Sequence, residues 1–219
     1  MSKPVALAIF AHPDDAELAC FGTFAALRAR GYALSVLSLT DGANSDVEQS
    51  YLRPKEARLA AAVLGSELVV EDFEDGSLTA GRALFDRIEQ HIRRLRPSIV
   101  LTHYPGPREH QDHQVVGTVA TTVAHRAGHV DLVLQGEPPG LADSFAPQLF
   151  TDITAHIDVK LKALACYKSE ADKGFMHRET VLDRARWWAR QAGAVENGTP
   201  RYYEAFVVSK ALLPVLTGV

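Results

Sequence analysis

The chain has 219 residues, with 23 Lys and Arg against 27 Asp and Glu, and therefore a formal net charge of −4. Apolar residues make up 47% and charged residues 23%, which is typical of a globular protein and excludes a disordered or fibrous chain. The mild acidity also argues against a protein that binds nucleic acid by neutralising phosphates.

No apolar run approaches the roughly 20 residues that a membrane-spanning helix needs. The apolar residues 5–11 are followed at once by His12 and Pro13, a poor cleavage region for a signal peptide, so we interpret them as a strand. Only Cys20 and Cys166 are present, too few for a disulfide framework or a zinc finger. We therefore expect a cytoplasmic protein without a membrane span.

Runs of β-branched and aliphatic residues alternate with helical patterns along the chain. The predicted elements are, in order, strand 5–10, helix 18–30, strand 34–39, helix 54–64, strand 68–73, helix 83–95, strand 99–102, helix 111–126, a surface loop at 136–140, strand 149–157, helix 159–167, helix 180–192 and strand 202–208. This alternation predicts an α/β fold, a Rossmann-like three-layer sandwich with a mostly parallel sheet. No repeat or linker divides the chain, so we expect residues 1–219 to form a single domain.

Polar, turn-forming sequence follows each of the first four predicted strands. These strands end in the sequences HPDD, TDG, EDG and HYPG, respectively. In open parallel sheets, ligands bind beyond the carboxyl ends of the strands, so this edge is the predicted site. Asp41, Asp75 and His103 are candidates there for groups that orient other ligands.

Two clusters combine imidazole and carboxylate groups: residues 11–17 (AHPDDAE) and residues 110–113 (HQDH). Both groups suit zinc, whose catalytic sites use three protein ligands and leave one position for water. One histidine and one aspartate from the first cluster and one histidine from the second would supply these ligands. The residues alone leave open which of Asp14 and Asp15 binds metal, and either acid also suits a helix cap. Five other histidines are expected to be structural: His91, His125, His129, His156 and His177.

These motifs resemble those of the PIG-L/LmbE-like zinc-dependent N-deacetylases. Residues 11–17 match the family's AHPDDxE motif, and residues 110–113 match its HxDH motif. Residues 53–56 (RPKE), followed by Ala60 and Leu64-Gly65, resemble its arginine-led helix, and residues 203–206 (YEAF) resemble its closing strand. The resemblance therefore extends over nearly the whole chain.

The resemblance implies a bound Zn²⁺ held by His12, Asp15 and His113. It further implies that Asp14 is the general base. Arg53 is similar to the family arginine that lies near the substrate carbonyl and the base.

By the same resemblance, His110 is expected to stabilise an oxyanion or to donate a proton, with its ring oriented by Asp112. Residues two apart do not share a helix face, so this contact requires a turn, with the helix beginning near His113. Trp187 and Trp188 could stack on a sugar ring, but adjacent helical residues diverge in direction, so core packing with partial exposure is the favoured interpretation.

The main hypothesis is a zinc-dependent amide hydrolase that removes an N-acetyl group from an amino sugar or its conjugate. One alternative is a catalytically inactive metal- or sugar-binding module of the same fold. Another is a non-haem iron oxygenase, because two histidines and one carboxylate also form that facial triad. A dinucleotide enzyme is disfavoured, since no Gly-rich fingerprint follows the first strand.

The expected partner is a small N-acetylated molecule rather than nucleic acid, and the sequence leaves a homo-oligomer open. Residues 44–52, 105–109 and 136–145 are expected to shape substrate specificity.

Overall fold

A computed structural model describes residues 3–44, 50–140, 144–194 and 198–212 of the chain. Within these residues the strands are β1 (Val5–Phe10), β2 (Ala33–Thr40), β3 (Glu67–Phe73), β4 (Ile99–His103), β5 (Leu132–Gly136), β6 (Leu149–Asp152) and β7 (Tyr203–Ala211). They form one sheet in the order β3-β2-β1-β4-β5-β7-β6. Strands β1 to β5 are parallel to one another, and β7 is antiparallel to both β5 and β6. The predicted α/β fold with a mostly parallel sheet is confirmed.

The helices are α1 (Asp15–Ala29), α2 (Arg53–Leu64), α3 (Arg82–Leu95), α4 (Gln111–Arg126), α5 (Ile157–Leu164) and α6 (Arg178–Gln191). Helices α1, α2, α5 and α6 contribute to one apolar core, and α3 and α4 contribute to another. Alternate residues of β1 enter the two cores, with Ala8 and Phe10 in the first and Leu7 and Ile9 in the second. Because both faces of the sheet are covered, its central strands are apolar throughout.

Apart from small shifts at the ends of elements, two predictions for the C-terminal half differ from the structure. Residues 132–136 form strand β5, which was not predicted. The strand predicted at 149–157 is shorter: β6 ends at Asp152, and a 3₁₀ turn occupies Thr154–His156. Both differences arise where apolar runs are short, because periodicity alone cannot separate a brief strand from a turn there.

Parallel pairing brings the ends of the central strands to one edge of the sheet. Phe10 of β1 pairs with Ser38 of β2, and Ile9 pairs with Thr102 of β4. The residues that follow β1 and β4 are therefore neighbours in space, although they are about ninety positions apart in sequence. None of the described helices is long and apolar enough to span a lipid bilayer.

Candidate metal centre and catalytic pocket

The turn between β1 and α1 directs the side chains of Asp14 and Asp15 to different partners. Asp14 has φ 97° and ψ −28°, a left-handed conformation that non-glycine residues rarely adopt. It stands at the N-cap of α1, yet its side chain makes no capping hydrogen bond with the described residues. Oδ2 of Asp14 instead lies 2.9 Å from Nη2 of Arg53. The capping interpretation is wrong for Asp14, and a turn of this kind, which costs about 1–3 kcal/mol, commonly marks a functional site.

Two imidazole nitrogens and both oxygens of one carboxylate, from the two histidine motifs, converge at the edge of the sheet. Nδ1 of His12 lies 3.2 Å from Nε2 of His113 and 3.3 Å from Oδ2 of Asp15. Oδ1 of Asp15 lies 3.3 Å from Nε2 of His113. Tetrahedral ligands placed ~2.1 Å from one zinc ion would lie roughly 3.4 Å apart. The spacing of these buried atoms therefore fits a single metal ion.

The opposite edge of the His12 ring faces two further carboxylates. Nε2 of His12 lies 2.9 Å from Oδ1 of Asp75 and 3.3 Å from Oδ2 of Asp112. Asp112 is itself fixed, since its carboxylate accepts hydrogen bonds from the backbone N–H groups of Gly76 (2.7 Å) and Leu78 (3.1 Å). A proton on Nε2 that is donated to these carboxylates leaves the Nδ1 lone pair free for a metal.

The group around His12 carries an excess of negative charge. Burial disfavours a charged imidazole, but hydrogen bonds with Asp112, Asp15 and Asp75 raise the pKa of His12 to about 12. Burial also opposes ionisation of Asp75, yet the hydrogen bond with His12 helps to lower the pKa of Asp75 to about 2. Buried ionised carboxylates require a compensating cation, so the electrostatics of the group fit a divalent ion.

His103 packs against His113, one of the residues in the ligand cluster. Its ring stacks on that of His113, with centroids 4.0 Å apart and an interplanar angle of 12°. Its Nε2 accepts a hydrogen bond of 3.0 Å from the backbone N–H of Ala11. Burial, reinforced by the charge of His113, lowers the pKa of His103 to about 3. A neutral ring whose Nε2 lone pair is already engaged is suited to orient His113 and the turn, as the sequence suggested, rather than to bind the ion.

The other two candidates for orienting groups have different outcomes. Asp75 reaches His12, and the backbone N–H of Asn44 donates to its second oxygen at 2.8 Å. Asp41 is exposed, and its carboxylate accepts a hydrogen bond from the backbone N–H of Ala43 two residues ahead. The expectation that Asp41 lies at the site is therefore wrong, because its side chain turns back onto its own loop.

Arg53, the first residue of α2, is buried against the turn that carries Asp14. Besides the contact with Asp14, its Nη2 donates to the carbonyl of Pro13 at 2.7 Å and its Nη1 to the carbonyl of Gly42 at 3.1 Å. Gly42 has φ +73°, and a Cβ there would lie 2.5 Å from Nη1 of Arg53. A second acid, Glu170, lies 3.6 Å from Nε of Arg53. The guanidinium is therefore held by the backbone of two strand ends and by two carboxylates.

The environment of Asp14 adjusts its proton affinity to neutral pH. Burial raises the pKa of Asp14 to about 7, while the positive charge of Arg53 opposes the rise and the negative charge of Asp15 adds to it. A general base is most effective when its pKa lies near the working pH. Asp14 therefore has the proton affinity that its predicted role requires.

His110 is oriented by a backbone hydrogen bond. It is the N-cap of α4, and its Nδ1 accepts the N–H of Asp112 at 3.3 Å. The helix α4 begins at Gln111, as predicted, and not near His113, where a contact between the Asp112 side chain and His110 would require it to begin. The expected orienting contact is corrected accordingly: Asp112 reaches His110 through its main chain, while its carboxylate faces His12. Burial, together with the charges of His12 and His113, lowers the pKa of His110. With Nδ1 as acceptor, a neutral ring carries its proton on Nε2.

A pocket of about 550 Å³ opens over these residues. Its wall includes side chains that no motif indicated: Leu18, Asn44, Pro139, Lys173 and Phe175. Asn44 and Pro139 belong to the segments 44–52 and 136–145, both of which were expected to shape specificity. Residues 45–49 and 141–143 of these segments lie outside the described part of the chain. The third such segment, residues 105–109, does not line this pocket.

Comparison with known sequences settles the family. Residues 7–124 match the PIG-L family, described as GlcNAc-PI de-N-acetylase, and both histidine motifs lie inside that range. The chain belongs to the PIG-L family. The uncharacterized deacetylase YaiS of Escherichia coli is 35% identical over 173 residues, which are 74% of this chain and 90% of that protein. The diacetylchitobiose deacetylase of Thermococcus kodakarensis is 31% identical over 184 residues, 75% of this chain and 69% of that protein.

The family predicted from the motifs is thus confirmed, and both relatives are named as deacetylases, the predicted class of amide hydrolase. The fold is also shared with the crystal structure of GalB, the 4-carboxy-2-hydroxymuconate hydratase of Pseudomonas putida, at a TM-score of 0.80 and 23% identity over 99% of each chain. The PIG-L match ends within α4. The pocket wall formed by Pro139, Lys173 and Phe175 therefore lies outside the matched range.

Proposed function

We propose that this chain is a zinc-dependent N-deacetylase that hydrolyses the N-acetyl group of a small amino sugar or its conjugate. The observation that carries the proposal is the convergence of His12, Asp15 and His113 beside a buried Asp14 whose pKa is about 7. The deacetylases among the relatives support the same reaction, and diacetylchitobiose, named for one of them, is an N-acetylated sugar.

In this proposal the metal ligands are His12, Asp15 and His113. When bound there, a zinc ion supplies Lewis acidity, lowering the pKa of a water ligand to about 7 and polarising the amide carbonyl. Asp75 and Asp112 hold the His12 ring so that Nδ1 faces the ion. His103 holds the ring of His113 by stacking.

Asp14 is the proposed general base. Its carboxylate accepts a proton from the attacking water and afterwards delivers that proton to the departing amine. Arg53 keeps Asp14 in position and limits the rise of its pKa, so that enough carboxylate is ionised near pH 7. Arg53 is a positioning residue in this scheme, because its guanidinium is engaged by protein groups.

His110 is the proposed electrophilic partner. Its Nε2–H faces the pocket once Nδ1 is bonded to the backbone of Asp112, and it can donate to the oxygen on which negative charge develops. The ring centroids of His12 and His113 lie 5.1 and 5.2 Å away, so His110 adjoins the ligands without replacing one of them.

An inactive binding module of the same fold is not favoured, because the whole set of proposed catalytic groups is assembled around one pocket. We treat residues 1–219 as one domain and place it in the cytoplasm, since both cysteines are free. The substrate is a small molecule rather than a nucleic acid.

The test combines acetate release with metal analysis. Wild-type protein purified without added metal is expected to contain close to one zinc ion per chain and to release acetate from N-acetylglucosamine conjugates. His113→Ala is expected to lose both, whereas His125→Ala, a change at an exposed histidine bonded to Ser209, is expected to retain both. Iron in place of zinc with oxygen consumption, or hydration of an unsaturated carboxylate without acetate release, would show that another reaction of this fold applies.

A further inference from the structure

An apolar groove that no motif predicts runs beside the catalytic pocket. It encloses about 500 Å³, and we call it the aromatic groove; it is lined chiefly by Pro138, Pro139, Phe145, Arg184, Trp187 and Trp188. Trp187 is 55% exposed, which is unusual for so large an apolar side chain. Exposed apolar surface of this kind commonly marks a place where a ligand or partner binds.

The two tryptophans have different environments. Trp188 packs edge-on against Phe145, with ring centroids 5.7 Å apart, and is also near Phe150 at 6.1 Å. Trp187 leaves this cluster, as expected for adjacent helical residues, and contributes an open indole face. Arg184 is three positions before Trp187 on α6 and therefore shares its side of the helix. The expectation of core packing thus describes Trp188 better than Trp187.

The guanidinium of Arg184 fixes the two prolines that line the aromatic groove. Nη1 of Arg184 donates to the carbonyl of Pro139 and Nη2 to the carbonyl of Pro138, each at 2.6 Å. Nη2 also lies 2.7 Å from Oε1 of Glu137. Two proline rings anchored in this way lose little conformational freedom when a ligand binds, which favours affinity.

The aromatic groove adjoins the catalytic pocket, because Pro139 lines both cavities. A molecule with its acetamido group near His12 and His113 would meet the groove beside Pro139. Each cavity has the volume of an ordinary small-molecule site, about 300–1,000 Å³. The shape therefore suits a substrate with two parts, one in each cavity.

We propose that the aromatic groove is a subsite for a second sugar ring of the substrate, stacked on the face of Trp187. The proposal rests on the proposed deacetylase function and adds that the substrate is a disaccharide or a longer glycoside. A sugar ring offers one apolar face for stacking and hydroxyl groups that can donate to the partly exposed carboxylate of Glu137 in the same groove. An acyl chain would supply no hydrogen bond to this carboxylate.

The test measures the ratio of KM for N,N'-diacetylchitobiose to KM for N-acetylglucosamine, with the metal-loaded enzyme. Loss of one stacking contact by Trp187→Ala is expected to raise this ratio roughly fivefold to tenfold. Trp187→Phe keeps a flat ring and is expected to restore most of the wild-type ratio. Leu59→Ala is the matched control, because Leu59 is 61% exposed on α2, away from both cavities, and the ratio should stay the same.

A second readout measures binding without hydrolysis. Calorimetric titration of chitobiose and glucosamine into wild type and Trp187→Ala should show a tryptophan-dependent preference for the disaccharide. If the enzyme releases acetate and Trp187→Ala leaves the KM ratio unaltered, the subsite proposal is wrong and the deacetylase proposal stands. If disaccharide binding depends on Trp187 but no acetate is released, the deacetylase proposal is wrong and the subsite proposal stands. If Trp187→Ala instead weakens only long-chain N-acylglucosamines, the groove holds an acyl chain and the sugar proposal is wrong.

Discussion

The pocket has a floor and a wall built from different kinds of sequence. The floor comes from the two histidine motifs at the ends of β1 and β4, where buried imidazoles and carboxylates contact one another within 3.3 Å. The wall comes from residues 137–140 and 173–188, where prolines, aromatic rings and paired charges are half-exposed. The side chains of the floor are fixed by polar contacts with one another. The wall residues Pro139, Lys173 and Phe175 line the same pocket. Changes in the floor should therefore affect the reaction itself, and changes in the wall should affect the choice of substrate.

The largest expected effect tests the floor at Asp14. Asp14→Asn removes the proposed base, so kcat should fall by roughly 10²–10⁴-fold. Bound zinc should stay near the wild-type level, because Asp14 contacts Arg53 rather than the ligand cluster. Steady-state kinetics and metal analysis of the same samples check both statements.

Asp41→Asn is the control for that change, since Asp41 is exposed at the neighbouring strand end and bonds only its own loop among the contacts described. It should leave kcat and metal content close to wild type. A fall in kcat equal to that of Asp14→Asn would remove the distinction between the two aspartates.

A smaller effect is expected for a carboxylate that touches a ligand without binding the ion. Asp75→Asn keeps the shape of the side chain but removes the charge that faces Nε2 of His12. Loss of such an outer partner typically weakens metal binding by roughly 10–100-fold. Competition with a chelator should reveal the weaker binding, and saturating zinc should restore most of the activity.

Asp72→Asn, at an exposed position of β3, should leave zinc affinity unaltered. If Asp75→Asn also binds zinc with wild-type affinity, the contact with His12 has no part in holding the ligand.

Contiguous motifs made the floor predictable from the sequence. The strand β1, the whole of α4 and the clustering of residues 11–17 with 110–113 follow from local patterns and from the rule that parallel strand ends meet. The same rule could not separate Asp75 from Asp41, because both follow strands and the outcome depends on how each loop turns. The rule also could not predict that His110 bonds to the backbone N–H of Asp112, since a backbone group leaves no signal in the pattern of side chains.

The sequence predicts a loop at residues 136–140 and a helix at 180–192, but it could not predict the contacts of the wall, because they are long-range. Glu170 contacts Arg53 from 117 positions further along the chain, and Lys173 pairs with Glu170 in a stretch of single 3₁₀ turns. The strand β5, which precedes the Pro138–Pro139 wall, is short enough to be missed. The wall to which we assign the choice of substrate is therefore the part of the chain in which local sequence patterns are weakest.

The pH dependence tests the link between Arg53 and Asp14. The pKa of Asp14 is raised to about 7, so the carboxylate is protonated, and unable to accept a proton, below that pH. The rate should therefore rise with pH through about 7 in the wild type. Arg53 opposes the rise in the pKa of Asp14, so Arg53→Met should move this acidic limb to higher pH. If the limb moves by about one pH unit, the rate at pH 7 should fall roughly fivefold, and well below pH 7 the fall should approach roughly tenfold.

Arg53→Lys retains a positive charge and should move the limb less than Arg53→Met. Thermal unfolding of both variants identifies any loss of the fold, because a buried ion pair is being altered. A uniform fall in rate with the limb still at the wild-type pH would mean that Arg53 does not act through the pKa of Asp14.

The smallest expected effect tests the wall at Phe175, which lines the catalytic pocket close to Pro139. Phe175→Ala removes apolar surface from the wall but no group that contacts the proposed ion or base, so KM should rise a few-fold, about 1 kcal/mol of lost contact, while kcat changes little. Ala171→Gly, in the exposed turn before it, is a control for loosening of the backbone and should change neither constant. A change at the wall that acted through the metal would lower kcat and zinc content together. Measuring zinc in the same samples therefore separates an effect on metal binding from an effect on substrate binding. A fall in kcat at full zinc occupancy would mean that Phe175 also positions the scissile amide, and the division between a floor for chemistry and a wall for recognition would not hold at this residue.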